Sequence, residues 1–316
     1  MVESRIVIPV VVGSSPIGHP TFTQRNPPCR WTQPPLQAGA GAVFATNVAA
    51  AVAHVRANAR GAALGRDPEC LHQVRVGVRR LRSTLRVFRE LVQRSSARRF
   101  ERELRSRQRA LGAARDWDEF VGAGFEPVLR RAARRPHAVA RQAARKTLTG
   151  ARFDSVLREI LAWSGRKPWR AASDLHESPA TFAARALQRL YRALCRKAAG
   201  IDWTDSERRH RVRIRVKRLR YGCECFAAAY GPDATRPLLH RLHALQRLLG
   251  ELNDIHVQQR LLDDLARNAG VAQPAESARQ ALDARERVLM RGAAKIWSKF
   301  EAIQPYWRRR AAREKG

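Results

Sequence analysis

The feature that most constrains the fold of this chain is an internal repeat. The segment His72-Gln-Val-Arg-Val-Gly-Val-Arg-Arg-Leu-Arg82 returns as His210-Arg-Val-Arg-Ile-Arg-Val-Lys-Arg-Leu-Arg220, at an offset of 138 residues (210 − 72). The same offset, without an insertion, matches Phe44 with Phe182, Asp67 with Asp205, Phe88 with Phe226, Gly112 with Gly250 and Asp116 with Asp254. A repeat of this length without slippage predicts two copies of one folded unit, each of roughly 130 residues.

The residue pattern of each copy is helical. From Ala42 onward alanine, leucine and arginine dominate, and no strand alternation is present. The pattern predicts helices at 42–60, 69–93, 97–133 and 137–164 in the first copy, and at 180–199, 206–229, 234–268 and 275–303 in the second. Short connections favour antiparallel neighbours, so we expect an all-α protein made of two pseudo-symmetric antiparallel four-helix bundles.

Composition and breakers divide the chain into five parts. Residues 1–41 are rich in Pro, Gly, Ser, Thr and Gln and are expected to be a disordered or loosely ordered extension. The two bundles are predicted at 42–170 and 180–308, with a linker at 171–179 and a basic tail at 309–316. Local chemistry supports the helix starts: Asp67 and Asp205 are expected N-caps, and Pro136 and Pro274 are expected in first turns.

The charge balance narrows the class of partner. Lys and Arg number 61 against 28 Asp and Glu, which gives a net charge of +33. Such a charge is tolerated when a polyanion or counterions neutralise it, so the partner is a nucleic acid, an acidic membrane surface or an inorganic polyanion. The apolar run at 6–12 is too short to span a bilayer and is a poor signal peptide, and the five cysteines contain no CxxC pair. We therefore expect a cytoplasmic protein with reduced cysteines.

The repeated motif forms a helix with two different faces. Projection at 100° per residue places an apolar arc beside a cationic arc in each copy. The apolar arcs contain Val74, Val78, Leu81, Leu85 and Phe88 in the first copy and Val212, Val216, Leu219, Cys223 and Phe226 in the second. The cationic rows contain His72, Arg75, Arg79, Arg82 and Arg86, and His210, Arg213, Lys217 and Arg220. Arg80 and Arg218 lie outside both arcs. Both copies keep the cationic row, whereas neighbouring positions differ between the copies. We therefore interpret the row as an anion-binding face.

The two motif histidines are interpreted as additional donors to that face. Nothing near them resembles a metal triad or an HExxH arrangement, so neither a metal site nor a cofactor is predicted. A pKa near neutrality would make binding modestly pH-sensitive. A phosphohistidine nucleophile is the alternative, but no paired carboxylate or Mg²⁺-binding aspartate cluster accompanies either histidine. No catalytic residue is predicted.

A second repeated patch lies in the third predicted helix of each copy, where Arg-x-x-Gly-x-x-Arg/Asn-Asp begins at Arg109 and Arg247. Gly112 and Gly250 inside a helix predict a tight helix crossing. Asp116 and Asp254 are expected to hold arginines of the motif helix in place, in a structural role. Arg109 and Arg247 are candidates for additional anion contacts.

These motifs together resemble the CHAD domain, the conserved-histidine α-helical domain, over about residues 42–308. The resemblance implies two pseudo-symmetric bundles with a basic pore or groove between them and a role in binding inorganic polyphosphate. It also implies that the groove is lined by His72, Arg75, Arg79 and Arg82 together with His210, Arg213, Lys217 and Arg220. We add Arg80, Arg86 and Arg218 as candidate polyphosphate-binding residues. Family members are often fused to a CYTH triphosphate-tunnel domain that supplies enzymatic activity, and residues 1–41 show no Glu-x-Glu-x-Lys start. We therefore expect a non-enzymatic polyphosphate-binding protein, and the resemblance implies an association with polyphosphate granules.

Two other functions stay open from the residues alone. A nonspecific nucleic-acid binder would also use a basic surface, although single-strand binding needs aromatic platforms between the cations, and these are scarce in the motif helices. A phosphate-handling enzyme would use His72 and His210.

Overall fold

The computed structural model describes residues 39–65, 67–169, 178–268 and 270–308. Within these ranges the regular structure is helical, apart from one isolated antiparallel bridge between Val92 and Trp169. Most of the predicted extension and linker, and the whole predicted tail, lie outside the described residues. The expectation of an all-α protein is confirmed.

The first half contains five helices, all in described ranges: α1 (Ala40–Leu64), α2 (Pro68–Val87), α3 (Arg94–Gly122), α4 (Pro127–Thr149) and α5 (Ala151–Gly165). The second half contains α6 (Pro179–Ala198), α7 (Ser206–Cys225), α8 (Ala227–Tyr230), α9 (Pro232–Asn268), α10 (Ala272–Arg291) and α11 (Ala293–Glu301). Helices α2 and α7 carry the repeated motif.

Several predicted helix boundaries are wrong. The predicted helix 97–133 ends at Gly122, because Gly124 adopts a left-handed backbone with φ of 78° and Pro127 then begins α4. Pro136 consequently lies inside α4 and not in a first turn. The predicted helices 137–164 and 275–303 are each divided at a glycine, Gly150 and Gly292, so four helices per half is too low a count.

The predicted starts of the motif helices are confirmed. The Asp67 side chain accepts a hydrogen bond from the backbone N–H of Glu69 at 2.7 Å, and Asp205 accepts one from the N–H of Arg208 at 2.9 Å. Each cap satisfies a donor that the first helical turn leaves without a partner. Pro274, the third residue of α10, lies in a first turn as predicted.

An aromatic cluster joins the two halves into one core. Phe88 at the end of α2 stacks on Phe182 with ring centroids 5.3 Å apart and lies 5.4 Å from Phe226 at the end of α7. Phe44 approaches Phe88 at 5.5 Å, and Phe182 approaches Phe226 at 6.1 Å. These four residues are two repeat-related pairs, so the same positions of both copies meet at the contact between halves. The cluster holds the C-terminal ends of α2 and α7 together and thereby places their cationic rows side by side.

Helix α1 is the one described helix that is long and apolar enough to cross a membrane by length and composition. Half of the residues in its most apolar window are buried. Phe44, Val48, Val52 and Val55 are almost fully enclosed against α2 and the rest of the core. This packing is that of a core helix.

Candidate anion-binding site

The apolar arcs predicted for the motif helices are confirmed. All ten of their side chains are buried, which fixes the rotation of each helix about its axis. The cationic rows therefore lie beside the core, partly covered by neighbouring helices.

Six basic side chains from both halves form what we call the central basic cluster: His72, Arg75, Arg79, Arg115, Arg213 and Lys217. The first three come from α2, Arg115 from α3 and the last two from α7. Their charges act on one another across the boundary between the halves, since Lys217 affects His72 and Arg79 affects both Arg213 and Lys217. Within the first half, Arg115 also affects His72. Arg115 was not among the residues predicted for the site, although it lies in the repeated patch of α3.

Burial strongly influences this cluster. It is the main cause that lowers the pKa of Arg213 and of Lys217, and the pKa of Lys217 falls well below its usual value. Nearby cations contribute in the same direction, and Asp254 opposes them. An anion bound here would stabilise the charged forms of these residues. It would thereby offset the cost of their burial and the repulsion between them.

Several cations of the cluster have no acidic partner. In the described ranges, Arg79, Arg213 and Lys217 form no ion pair within 4.0 Å, and the Nε atoms of Arg79 and Arg213 are buried without a hydrogen-bond acceptor. An unsatisfied buried donor is costly, more so when it is charged. These groups are donors that a bound oxyanion could satisfy.

Arg75 is held by the backbone of α3. Its Nη1 donates a hydrogen bond to the carbonyl oxygen of Leu111 at 2.8 Å. A Cβ atom on Gly112 would lie 3.4 Å from the same nitrogen, so the glycine admits a guanidinium. We predicted a tight helix crossing at Gly112. The group that approaches this glycine is the Arg75 side chain. Burial is the main reason that the pKa of Arg75 falls to about 10.

Carboxylates accompany the cluster on both sides. Asp116 interacts electrostatically with Arg75 and lies 3.8 Å from Arg260, while Asp254 interacts with Arg213 and Lys217. Burial raises the pKa of both carboxyl groups, that of Asp254 to about 6. Both aspartates therefore lie where they can orient motif-helix cations, and their structural role stays a prediction.

The outer arginines of the rows, Arg82, Arg86 and Arg220, are bound to neighbouring side chains. Arg86 pairs with Glu101 at 2.9 Å, and Arg82 donates to Gln108. Arg220 pairs with Glu224 and lies over the Tyr221 ring at 4.4 Å. Arg80 is half-buried, and Arg109 and Arg247 are exposed. The rows are thus divided between a central part, where no described carboxylate lies within 4.0 Å of Arg79, Arg213 or Lys217, and outer parts, where Arg86 and Arg220 form ion pairs.

Arg218 and three arginines of α3 extend the basic surface beyond the central basic cluster. Burial, then the charges of Arg86 and Arg215, lowers the pKa of Arg218 to about 9. A neighbouring cleft of about 260 Å³ is lined by Arg86, Arg98, Glu101, Arg102 and Arg105. The α3 arginines were missed in the sequence, although their spacing at i, i+4 and i+7 from Arg98 puts them on one helix face.

The two motif histidines have different surroundings. Burial, followed by the charges of Arg115, Arg79, Arg75 and Lys217, lowers the pKa of His72 to about 4. The expectation of a pKa near neutrality is therefore wrong for His72, which is neutral at pH 7. His210 is exposed, and its Nδ1 lies 3.2 Å from Oδ1 of Asn253.

Neither a metal centre nor a reactive thiol is indicated within the described residues. No group of three or more His, Cys, Asp or Glu side chains there could hold a metal ion. The four described cysteines are free, and burial raises the pKa of the Cys223 thiol to about 12.

Comparison with known proteins shows the family and the fold of the chain. A family model described as the CHAD domain matches residues 46–263. The crystal structure of the CHAD domain from the plant Ricinus communis is similar with a TM-score of 0.78 and 28% identity, covering 90% of this chain and 99% of that one. PptA from Streptomyces chartreusis has a TM-score of 0.58 at 16% identity, over 85% of this chain and 99% of that one, a likeness of fold. No curated protein matches the sequence. The chain belongs to the CHAD domain family.

Proposed function

We propose that this protein binds inorganic polyphosphate at the central basic cluster and does not catalyse a reaction on it. The observation that carries the proposal is the set of Arg79, Arg213 and Lys217, which come from both halves and, in the described part of the chain, have no acidic partner within 4.0 Å. Polyphosphate offers only charged oxygens, so it can accept from these donors without any base-reading chemistry.

The aromatic residues near the motif favour polyphosphate over single-stranded nucleic acid. Phe88 and Phe226 are buried in the core, and Tyr221 is buried beneath Arg220. None of the three presents a face on which a base could stack, and such stacking is the usual means of binding single strands.

The surroundings of the histidines favour binding without catalysis. His72 is neutral at pH 7 and surrounded by cations, and His210 faces an amide. Within the described ranges neither histidine is hydrogen-bonded to a carboxylate that would orient it as a nucleophile or general base. We further propose a cytoplasmic location, in contact with polyphosphate granules, and no cofactor.

The proposal is tested by calorimetric titration with long-chain polyphosphate at about physiological salt, with duplex DNA at equal phosphate concentration as the comparison. We expect saturable binding of polyphosphate and much weaker binding of DNA. In the double variant Arg79→Glu/Lys217→Glu, binding should be lost while the helical circular dichroism signal is kept.

The matched control is Arg192→Glu/Arg196→Glu, which makes the same change in net charge on exposed residues of α6. The control should bind polyphosphate nearly as wild type does. Equal losses in both variants would show a general polyanion surface and would contradict the assignment of the site.

A further inference from the structure

The outward face of α4 carries cations and exposed aliphatic side chains in one stripe. At 100° per residue, Val128, Arg131, Arg135, Val139, Gln142 and Lys146 fall within an arc of about 80°, and all six are exposed. Val128 is 39% exposed and Val139 60%, which makes them two of only four large aliphatic side chains exposed in the described ranges. We call these six residues the α4 face.

No acid neutralises the α4 face. Helix α4 contains no Asp or Glu, and Arg131, Arg135 and Lys146 form no ion pair with any described residue. The basic residues of α4 that contact a described carboxylate are Arg141 and His137, which turn inward to Asp118 at 2.9 Å and 2.6 Å. By contrast, the α10 residues at the positions equivalent to Arg135, Val139, Gln142 and Lys146 are all uncharged: Gln273, Ser277, Gln280 and Ala284. The cationic character of this surface is therefore specific to the first half.

The α4 face is separate from the central basic cluster. The opposite side of α4 packs into the core through Leu129, Ala133, Ala140, Ala144 and Leu148. Its main partners are α3 and α1. The stripe therefore points away from the bundle, and its function does not depend on the function proposed for the cluster.

A third exposed aliphatic residue lies next to α4. Nη1 of Arg141 donates a hydrogen bond to the carbonyl oxygen of Gly65 at 3.1 Å, which places the end of α1 beside α4. Leu64, the last residue of α1, is 53% exposed. Leu64 thus lies close to Arg141 of α4, outside the α4 face.

We propose that the α4 face docks this protein on a membrane surface that contains anionic phospholipids. Cations next to an anionic leaflet gain electrostatic energy, and aliphatic groups between them gain further when they enter the headgroup region. A nucleic-acid backbone would interact favourably with the cations but not with the aliphatic side chains. Helix α6 illustrates the difference, because it exposes Arg192, Arg196 and Lys197 but no large aliphatic residue.

The test is cosedimentation of the full chain with vesicles of equal parts phosphatidylserine and phosphatidylcholine, at about physiological salt and without polyphosphate. The test variant is Arg131→Glu/Arg135→Glu/Lys146→Glu, and the matched control is Arg192→Glu/Arg196→Glu/Lys197→Glu on α6. Each cation near the membrane surface raises the affinity for the vesicles about fivefold. Loss of three cations should therefore lower the affinity of the α4 variant for the vesicles at least about 100-fold. The α6 variant should lose far less, although its net charge is the same. Equal losses in the two variants would overturn the proposal.

A second variant tests the aliphatic contribution without changing charge. Val128→Ser/Val139→Ser should bind the vesicles about tenfold more weakly, because both valines lose apolar contact with the headgroup region. Both positions are exposed, so the fold is retained. Vesicle binding at the wild-type level would contradict the role of the valines. If wild type binds duplex DNA but not vesicles, and the α4 charge variant loses that DNA binding, the face is a nucleic-acid surface and the membrane assignment is wrong.

Discussion

Replacing Asp254 by asparagine tests the electrostatics of the central basic cluster most directly. Burial, together with the charge of Glu119, raises the pKa of Asp254 from 3.8 to about 6, even though Arg213 and Lys217 oppose the shift. This difference of about 2 pKa units corresponds to about 3 kcal/mol of folding free energy. The stabilising contribution of the protonated carboxyl is fully present below pH 3.8 and is lost as the pH rises through about 6.

The neutral amide of Asp254→Asn has no such pH dependence. We therefore expect the variant to unfold with a free energy up to about 3 kcal/mol higher than wild type at pH 8, and with no difference near pH 4. The variant should also bind polyphosphate about tenfold more tightly at pH 7.5, because it lacks the negative charge that acts on Arg213 and Lys217 of the proposed site.

Urea denaturation between pH 4 and pH 8 measures the first effect, and calorimetric titration measures the second. Asp233→Asn is the control, since the Asp233 side chain is 91% exposed and should give neither effect. A variant that is less stable than wild type at pH 8 would refute the reasoning, because it would mean that the ionised carboxylate stabilises the cluster more than its burial costs.

Three further changes test other parts of the structure. The ring of His72, with a pKa of about 4 in the free protein, should titrate at a higher pH once polyphosphate is bound, and an unchanged NMR midpoint would place the ligand elsewhere. Gly112→Val should move Arg75 from the Leu111 carbonyl and weaken polyphosphate binding about tenfold with unchanged circular dichroism; wild-type affinity would show that this hydrogen bond does not position the site. Arg209→Met leaves Glu286 buried without its partner, so calorimetry should show a melting temperature about 10 °C lower, whereas a change below about 2 °C would mean that the pair contributes little.

The fold class followed from the sequence because helical period, composition and repeat all indicated the same structure. The apolar arcs of α2 and α7 were correct at every position, since a period of 3.6 assigns faces well. The predicted helix boundaries were less accurate where several glycines and prolines lie close together in the sequence. Pro136 was taken as the start of a helix, but Gly124 and Pro127 set that start nine residues earlier, and the proline is accommodated in the helix interior.

The candidate site was predicted only in outline. A helical projection shows which cations share a face, but not which acids other helices bring to them. Glu101 of α3 holds Arg86, while Arg79 in the same row has no such partner among the described residues. Burial is the main cause that lowers the pKa of His72, and the charges of Arg115 and Lys217, which are distant in sequence, lower it further. These interactions follow from tertiary packing.

The two cationic rows also show how a repeat can lose its symmetry. Arg86 and Glu224 occupy equivalent positions, as do Arg105 and His243. In the second half Glu224 pairs with Arg220 and lies 3.7 Å from His243, whereas in the first half the equivalent positions contribute two arginines to a cleft whose one acid is Glu101. The surface around the central basic cluster is therefore more positive toward the first half. Since Arg86 lines the cleft and its charge acts on Arg218, we expect a bound polyphosphate chain longer than the central basic cluster to extend toward α3 in preference to α9.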